Sequence, residues 1–97
     1  MSIFLLQVQA GLLETKGNLA EAELLYRRAL VIREEKLGTD HPDVANTLNN
    51  LAGLLKTKRD FAEAEPLYRR ALGILEEKLG TDHPDVAIIL NNLAGLL

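Results

Sequence analysis

Leu48-Asn49-Asn50-Leu51-Ala52-Gly53-Leu54-Leu55 recurs letter for letter as Leu90 to Leu97, 42 residues downstream. Such a recurrence marks an internal repeat, and a repeat governs the architecture before any single helix is assigned. Outward from it, the same offset relates LGTDHPDVA (Leu37–Ala45) to Leu79–Ala87, and Leu25-Tyr26-Arg27-Arg28-Ala29-Leu30 to Leu67–Leu72. Between Ala20–Leu55 and Ala62–Leu97, 31 of 36 positions are identical. The five that differ are Leu24/Pro66, Val31/Gly73, Arg33/Leu75, Asn46/Ile88 and Thr47/Ile89.

Each unit carries two helical patterns. Leu48, Leu51, Ala52 and Leu55 recur at i, i+3, i+4 and i+7, the spacing of one helical stripe. Phe61, Ala64, Tyr68, Ala71, Leu72, Leu75 and Leu79 form a second stripe on a longer helix. Asn18 and Asp60 each stand three residues before a Glu, the arrangement of a capping box. Gly38 and Gly80 suit the left-handed residue beyond a helix end, and Pro42 and Pro84 suit the first helical position that follows. These signals predict five helices, at about 3–16, 19–37, 42–57, 61–79 and 84–97, and no strands.

The unit resembles a tetratricopeptide repeat of the 42-residue kind found in kinesin light chains, with LNNLAGLL and LGTDHPDVA carrying the likeness. The signature positions fall on Leu48, Leu51, Ala52, Leu55, Phe61, Ala64, Tyr68 and Ala71, and earlier on Leu6, Ala10, Leu13, Gly17, Leu19, Ala22, Tyr26 and Ala29. Gln9, where the second unit has Leu51, makes the first unit degenerate, and Arg59 in place of the turn residue Gly17 implies strain at positive φ. The implied fold is all-α: an antiparallel helix-pair solenoid forming one domain over 1–97, with units at about 1–41, 42–83 and a partial 84–97. The implied function is a non-catalytic interaction module. The motor-binding coiled coil of kinesin light chains has no counterpart in these residues.

In such a solenoid the first helices of successive units line the concave face. Helical-wheel angles place Asn46, Asn49, Asn50, Gly53, Lys56 and Thr57 there. The third unit contributes Ile88, Asn91, Asn92 and Gly95, and the first contributes Gln7, Val8, Gly11, Glu14 and Thr15. Paired asparagines are poor helix formers, so their repetition calls for a reason. A carboxamide both donates and accepts, which suits it to holding the backbone of an extended peptide. The resemblance implies the same, since asparagines at these positions line a peptide-binding groove in the family. The alternative is that Asn49 and Asn50 bond neighbouring helices and set repeat register.

The remaining constellations have simpler readings. Thr39-Asp40-His41-Pro42-Asp43 and its copy read as helix starts rather than metal sites. Glu23 and Glu65 stand four residues before Arg27 and Arg69, so the Arg pairs read as salt-bridged surface. No cofactor is expected, and no enzyme: cysteine is absent, the two histidines are repeat equivalents, and the single serine is Ser2. A net charge of −3 with interspersed signs lacks the basic stripe of a nucleic-acid binder. No apolar run approaches the roughly 18 residues of a membrane span. Met1–Leu6 lacks the positive region of a leader and reads as folded structure. Together with the absence of cysteine, these features predict a cytoplasmic setting.

The ends of the chain suggest a second role. Leu90, Leu93, Ala94, Leu96 and Leu97 would present apolar surface, and Ile88 and Ile89 make this helix more apolar than its counterpart. Ile3, Phe4, Leu5, Ile89, Leu93, Leu96 and Leu97 are therefore candidates for self-association into a homodimer. The alternative is that the last helix caps the second unit. A self-associating repeat array without a client is the competing function.

Overall fold

The computed structural model describes residues 2–97. Five helices follow in chain order: α1 (Ile3–Thr15), α2 (Leu19–Leu37), α3 (Pro42–Thr57), α4 (Phe61–Leu79) and α5 (Pro84–Leu96), with no strand among the described residues. Each helix packs on the next in sequence, and α3 also touches α5. The result is a two-layered solenoid, with α1, α3 and α5 on one side and α2 and α4 on the other.

Local chemistry sets the helix ends. Asp60 accepts a hydrogen bond from the Glu63 N–H at 3.3 Å, and Ser2 accepts one from Leu5 N–H at 3.2 Å. The expected capping box closes in neither unit. Asn18 makes no cap bond, because its side-chain amide donates to Glu21 at 3.5 Å instead, while Glu63 is drawn away to Arg27 at 2.8 Å. His41 and His83 prove to be the caps of α3 and α5: their Nδ1 atoms accept from Asp43 and Asp85 N–H at 3.0 and 3.1 Å. Gly38 and Gly80 have the expected positive φ of 88° and 94°. Their ψ of 162° and 154° lies outside the left-handed helical region, in territory essentially confined to glycine. Arg59 adopts φ 65°, matching Gly17 at 81°.

The core is built on α3, which has two buried stripes. Val44, Thr47, Leu51 and Leu54 form one, and Ala45, Leu48, Ala52 and Leu55 the other; all eight are at most 1% exposed. Thr47 is bonded to residues of α1 and α2, so the first stripe faces back along the chain. The second is covered by α4. Burial of each such leucine contributes about 1.5–3 kcal/mol.

The fifth helix has only one of its stripes covered, which corrects part of the expectation. Ile89 and Leu93, read as exposed self-association residues, are 3% and 6% exposed: together with Val86 they repeat the rear-facing stripe of α3 and pack into the core. Leu96 is half-buried against the same core. The exposed stripe of α5 is instead Ala87, Leu90, Ala94 and Leu97. At the other end Phe4 and Leu5 are exposed and Ile3 is half-buried.

Candidate functional site

Between α1, α3 and α5 lies an open groove of about 490 Å³. Asn49, Asn50, Gly53, Lys56 and Thr57 of α3 form its centre, Glu14 of α1 and Asn92 of α5 its two ends, and Tyr26 and Tyr68 its floor. Seven of the expected concave-face residues, Glu14, Asn49, Asn50, Gly53, Lys56, Thr57 and Asn92, therefore meet in one place. Asn46, Ile88 and Asn91 are exposed but lie outside its lining.

The asparagines differ in their bonding. Asn92 Nδ2 donates to Asn49 Oδ1 at 2.9 Å, tying α5 to α3 and fixing their register. Asn50 carries no side-chain hydrogen bond among the described residues and presents its carboxamide to the groove. One asparagine of the repeated pair is therefore bonded between helices, and the other lines the groove without a side-chain bond among the described residues. Lys56 reaches over α5, where a Cβ at position 95 would sit 3.0 Å from Nζ.

The tyrosines were hidden in the sequence because they belong to the core stripe. Their rings are buried, at 5% and 2% exposure, while their hydroxyls reach the groove. A Cβ on Gly53 would stand 3.6 Å from the Tyr68 hydroxyl, ordinary contact, so packing does not require glycine at this position. Tyr26 donates to Glu14 Oε1 at 3.1 Å. Burial first, then the Glu14 charge and this bond, push the Tyr26 phenol up to about 12. Burial and the same charge also raise Tyr68. The available signal was the repeated choice of Tyr where Phe would fill the core, since a buried phenol requires a partner.

The outer layer matches the salt-bridge reading. Glu23–Arg27 and Glu65–Arg69 pair at 2.9 Å each, and Arg27–Glu63, Lys58–Glu23 and Arg70–Glu34 join the two units at 2.8, 2.7 and 2.6 Å. No cluster of three or more His, Cys, Asp or Glu side chains suited to a metal ion occurs among the described residues. Nor is any helix among them long and apolar enough to cross a membrane.

The family model of the tetratricopeptide repeat matches residues 2–77 and 54–97. Among solved structures, the crystal structure of BtubC (BKLC) from P. vanneervenii is similar with a TM-score of 0.89 at 32% sequence identity. That match covers 97% of this chain and 37% of the other, so the chain spans little more than a third of the structure it resembles. No curated protein matches.

Proposed function

The chain belongs to the tetratricopeptide-repeat family, of the kinesin-light-chain type, and from that premise we propose that its groove holds an extended segment of a partner protein. Its family supports a role as an interaction scaffold. The observation that carries the finer reading is the Asn50 carboxamide, which faces the groove with no hydrogen-bond partner among the described residues, beside a glycine that the core does not need. An extended peptide supplies the matching N–H and C=O groups at regular intervals. Recognition is non-catalytic, by shape and amide hydrogen bonds, in a cytoplasmic setting. The partner is protein rather than nucleic acid, consistent with the pairing of outer-face arginines to carboxylates.

The test is a panel of randomised eight-residue peptides titrated against the isotopically labelled chain. Saturable NMR shifts are expected at Asn50, Lys56, Thr57 and Tyr68. Gly53→Ala should separate binding from folding: it gains about 0.8–1 kcal/mol in helix propensity while its methyl narrows the groove. Higher stability with weaker peptide binding is the expected result; undiminished binding, or shifts confined to other surfaces, would count against the reading.

One observation favours a second reading. Ala45, Leu48, Ala52 and Leu55 are buried, whereas their equivalents on α5, Ala87, Leu90, Ala94 and Leu97, are exposed, with Leu97 at 78%. Antiparallel pairing of two α5 helices would set the small residues of one stripe against the large ones of the other. Self-association of this kind predicts a light-scattering mass that rises above the 10.7 kDa of one chain with concentration. Leu90→Glu should return it to one chain; a mass fixed at that value throughout would eliminate pairing.

A further inference from the structure

Glu14 and Lys56 are repeat equivalents, 42 residues apart, so consecutive units place opposite charges at the same point on the groove wall. Neither enters a salt bridge among the described residues, and they do not pair with each other. On the outer face, by contrast, Glu23, Glu34, Glu63 and Glu65 all find cationic partners. Both groove charges are nonetheless positioned. The Tyr26 hydroxyl holds Glu14 at 3.1 Å, and Gly95 leaves the space that the Lys56 ammonium occupies above α5.

We propose that the groove reads a charge pair in its ligand: an extended segment whose Lys or Arg seats at Glu14 and whose Asp or Glu seats at Lys56. This rests on the peptide-binding reading and adds a chemical class to it. The spacing follows from the repeat. α1 and α3 are neighbours joined by the Thr47–Gln7 hydrogen bond of 2.8 Å, and neighbouring packed helices lie roughly 8–10 Å apart. A polyproline-II segment rises about 3.1 Å per residue with three residues per turn, so side chains three positions apart share a face and span about 9 Å. The preferred ligand therefore carries Lys or Arg and Asp or Glu at positions i and i+3, in either chain direction.

Four otherwise identical eight-residue peptides test this, bearing Lys-x-x-Glu, Gln-x-x-Gln, Lys-x-x-Lys and Glu-x-x-Glu, each titrated by NMR. In low salt, Lys-x-x-Glu should bind about tenfold more tightly than Gln-x-x-Gln, as two partly exposed ion pairs together allow. The advantage should vanish near 1 M salt, where the screening length is about 3 Å. Glu14→Gln keeps an acceptor for Tyr26 and should cancel only the benefit of the peptide lysine, and Lys56→Gln only that of the peptide glutamate. A nitroxide at the peptide N-terminus should broaden signals at one end of the groove, and at the opposite end in the Glu14→Lys, Lys56→Glu double variant. Equal affinity for all four peptides, or a like-charged peptide binding best, overturns the charge-pair proposal while leaving peptide binding standing. Failure of every peptide in this set and in the randomised panel overturns both.

Discussion

The junction between the first two units and the junction between α4 and α5 occupy the same place in the repeat but are built from different chemistry. At the first, Arg33 Nη1 donates from α2 to the Asp43 carbonyl at 2.9 Å and to the Thr47 hydroxyl at 3.3 Å, and Thr47 donates on to Gln7 at 2.8 Å. At the second, the equivalents of Arg33 and Thr47 are Leu75 and Ile89, both buried in the apolar core. Two of the five differences between the near-identical segments are therefore one contact, exchanged as a unit. A mixed junction would set a guanidinium against methyl groups and remove one of its acceptors, a loss of about 1–3 kcal/mol. The acceptor at position 7 or 49 is kept in both: where Ile89 offers no proton, Asn92 supplies one to Asn49 instead. Leu24/Pro66, Val31/Gly73 and Asn46/Ile88 are exposed in both units and join no such exchange.

The comparison can be broken most sharply in the apolar stripe common to both junctions. Leu51→Ala should cost about 2–5 kcal/mol in denaturant unfolding, and its equivalent Leu93→Ala should fall at or below the low end of that range, because α5 has one covered side. Next in size is the polar exchange. Thr47→Ile alone should cost about 1–3 kcal/mol. Adding Arg33→Leu should recover most of it, giving a coupling of about 0.5–3 kcal/mol in a double-mutant cycle; strict additivity would show that the two positions are independent. Asn92→Ala should cost about 0.5–1.5 kcal/mol by unlocking α5 from α3, whereas Asn50→Ala should leave stability nearly unchanged.

The smallest effect is confined to alkaline solution. The Tyr26 phenol titrates at about 12 in the folded chain against 10.0 ordinarily, so the unfolded state loses its proton first. Between these values the unfolded state binds fewer protons, and stability falls as pH rises. Tyr26→Phe should flatten the decline in thermal midpoint over that interval, leaving the part due to Tyr68.

The fold was legible because a 42-residue self-match and a 3.6-residue apolar period agree over α3 and α4. The groove was legible where a wheel angle suffices, as for Asn49, Asn50, Gly53 and Lys56. It was not legible at Tyr26 and Tyr68, since one stripe position holds a ring in the core and a hydroxyl outside it, a distinction finer than a 100° step. The burial of Ile89 and Leu93 escapes the sequence for a related reason. A helix with two apolar stripes does not announce which one its neighbours cover until they are in place. His41 and His83 lay beside Pro42 and Pro84 with their flanking acids, which explained the helix starts without an imidazole cap.

The outer-face ion pairs, Arg27–Glu63 and Arg70–Glu34 between α2 and α4 and Lys58–Glu23 between the end of α3 and α2, bear on the response to salt. Lys58, and with it Arg27, holds the Glu23 carboxyl below its ordinary value against the opposing effect of burial, so the outer seam is a stitched line of charge. The inner layer is joined by apolar packing, the Asn92–Asn49 amide bond and the Thr47–Gln7 bond, none of them an ion pair. Added salt shortens the range of the outer attraction, from a screening length of about 10 Å at 0.1 M to about 3 Å at 1 M. Raising the salt is therefore expected to loosen the outer seam before the inner layer.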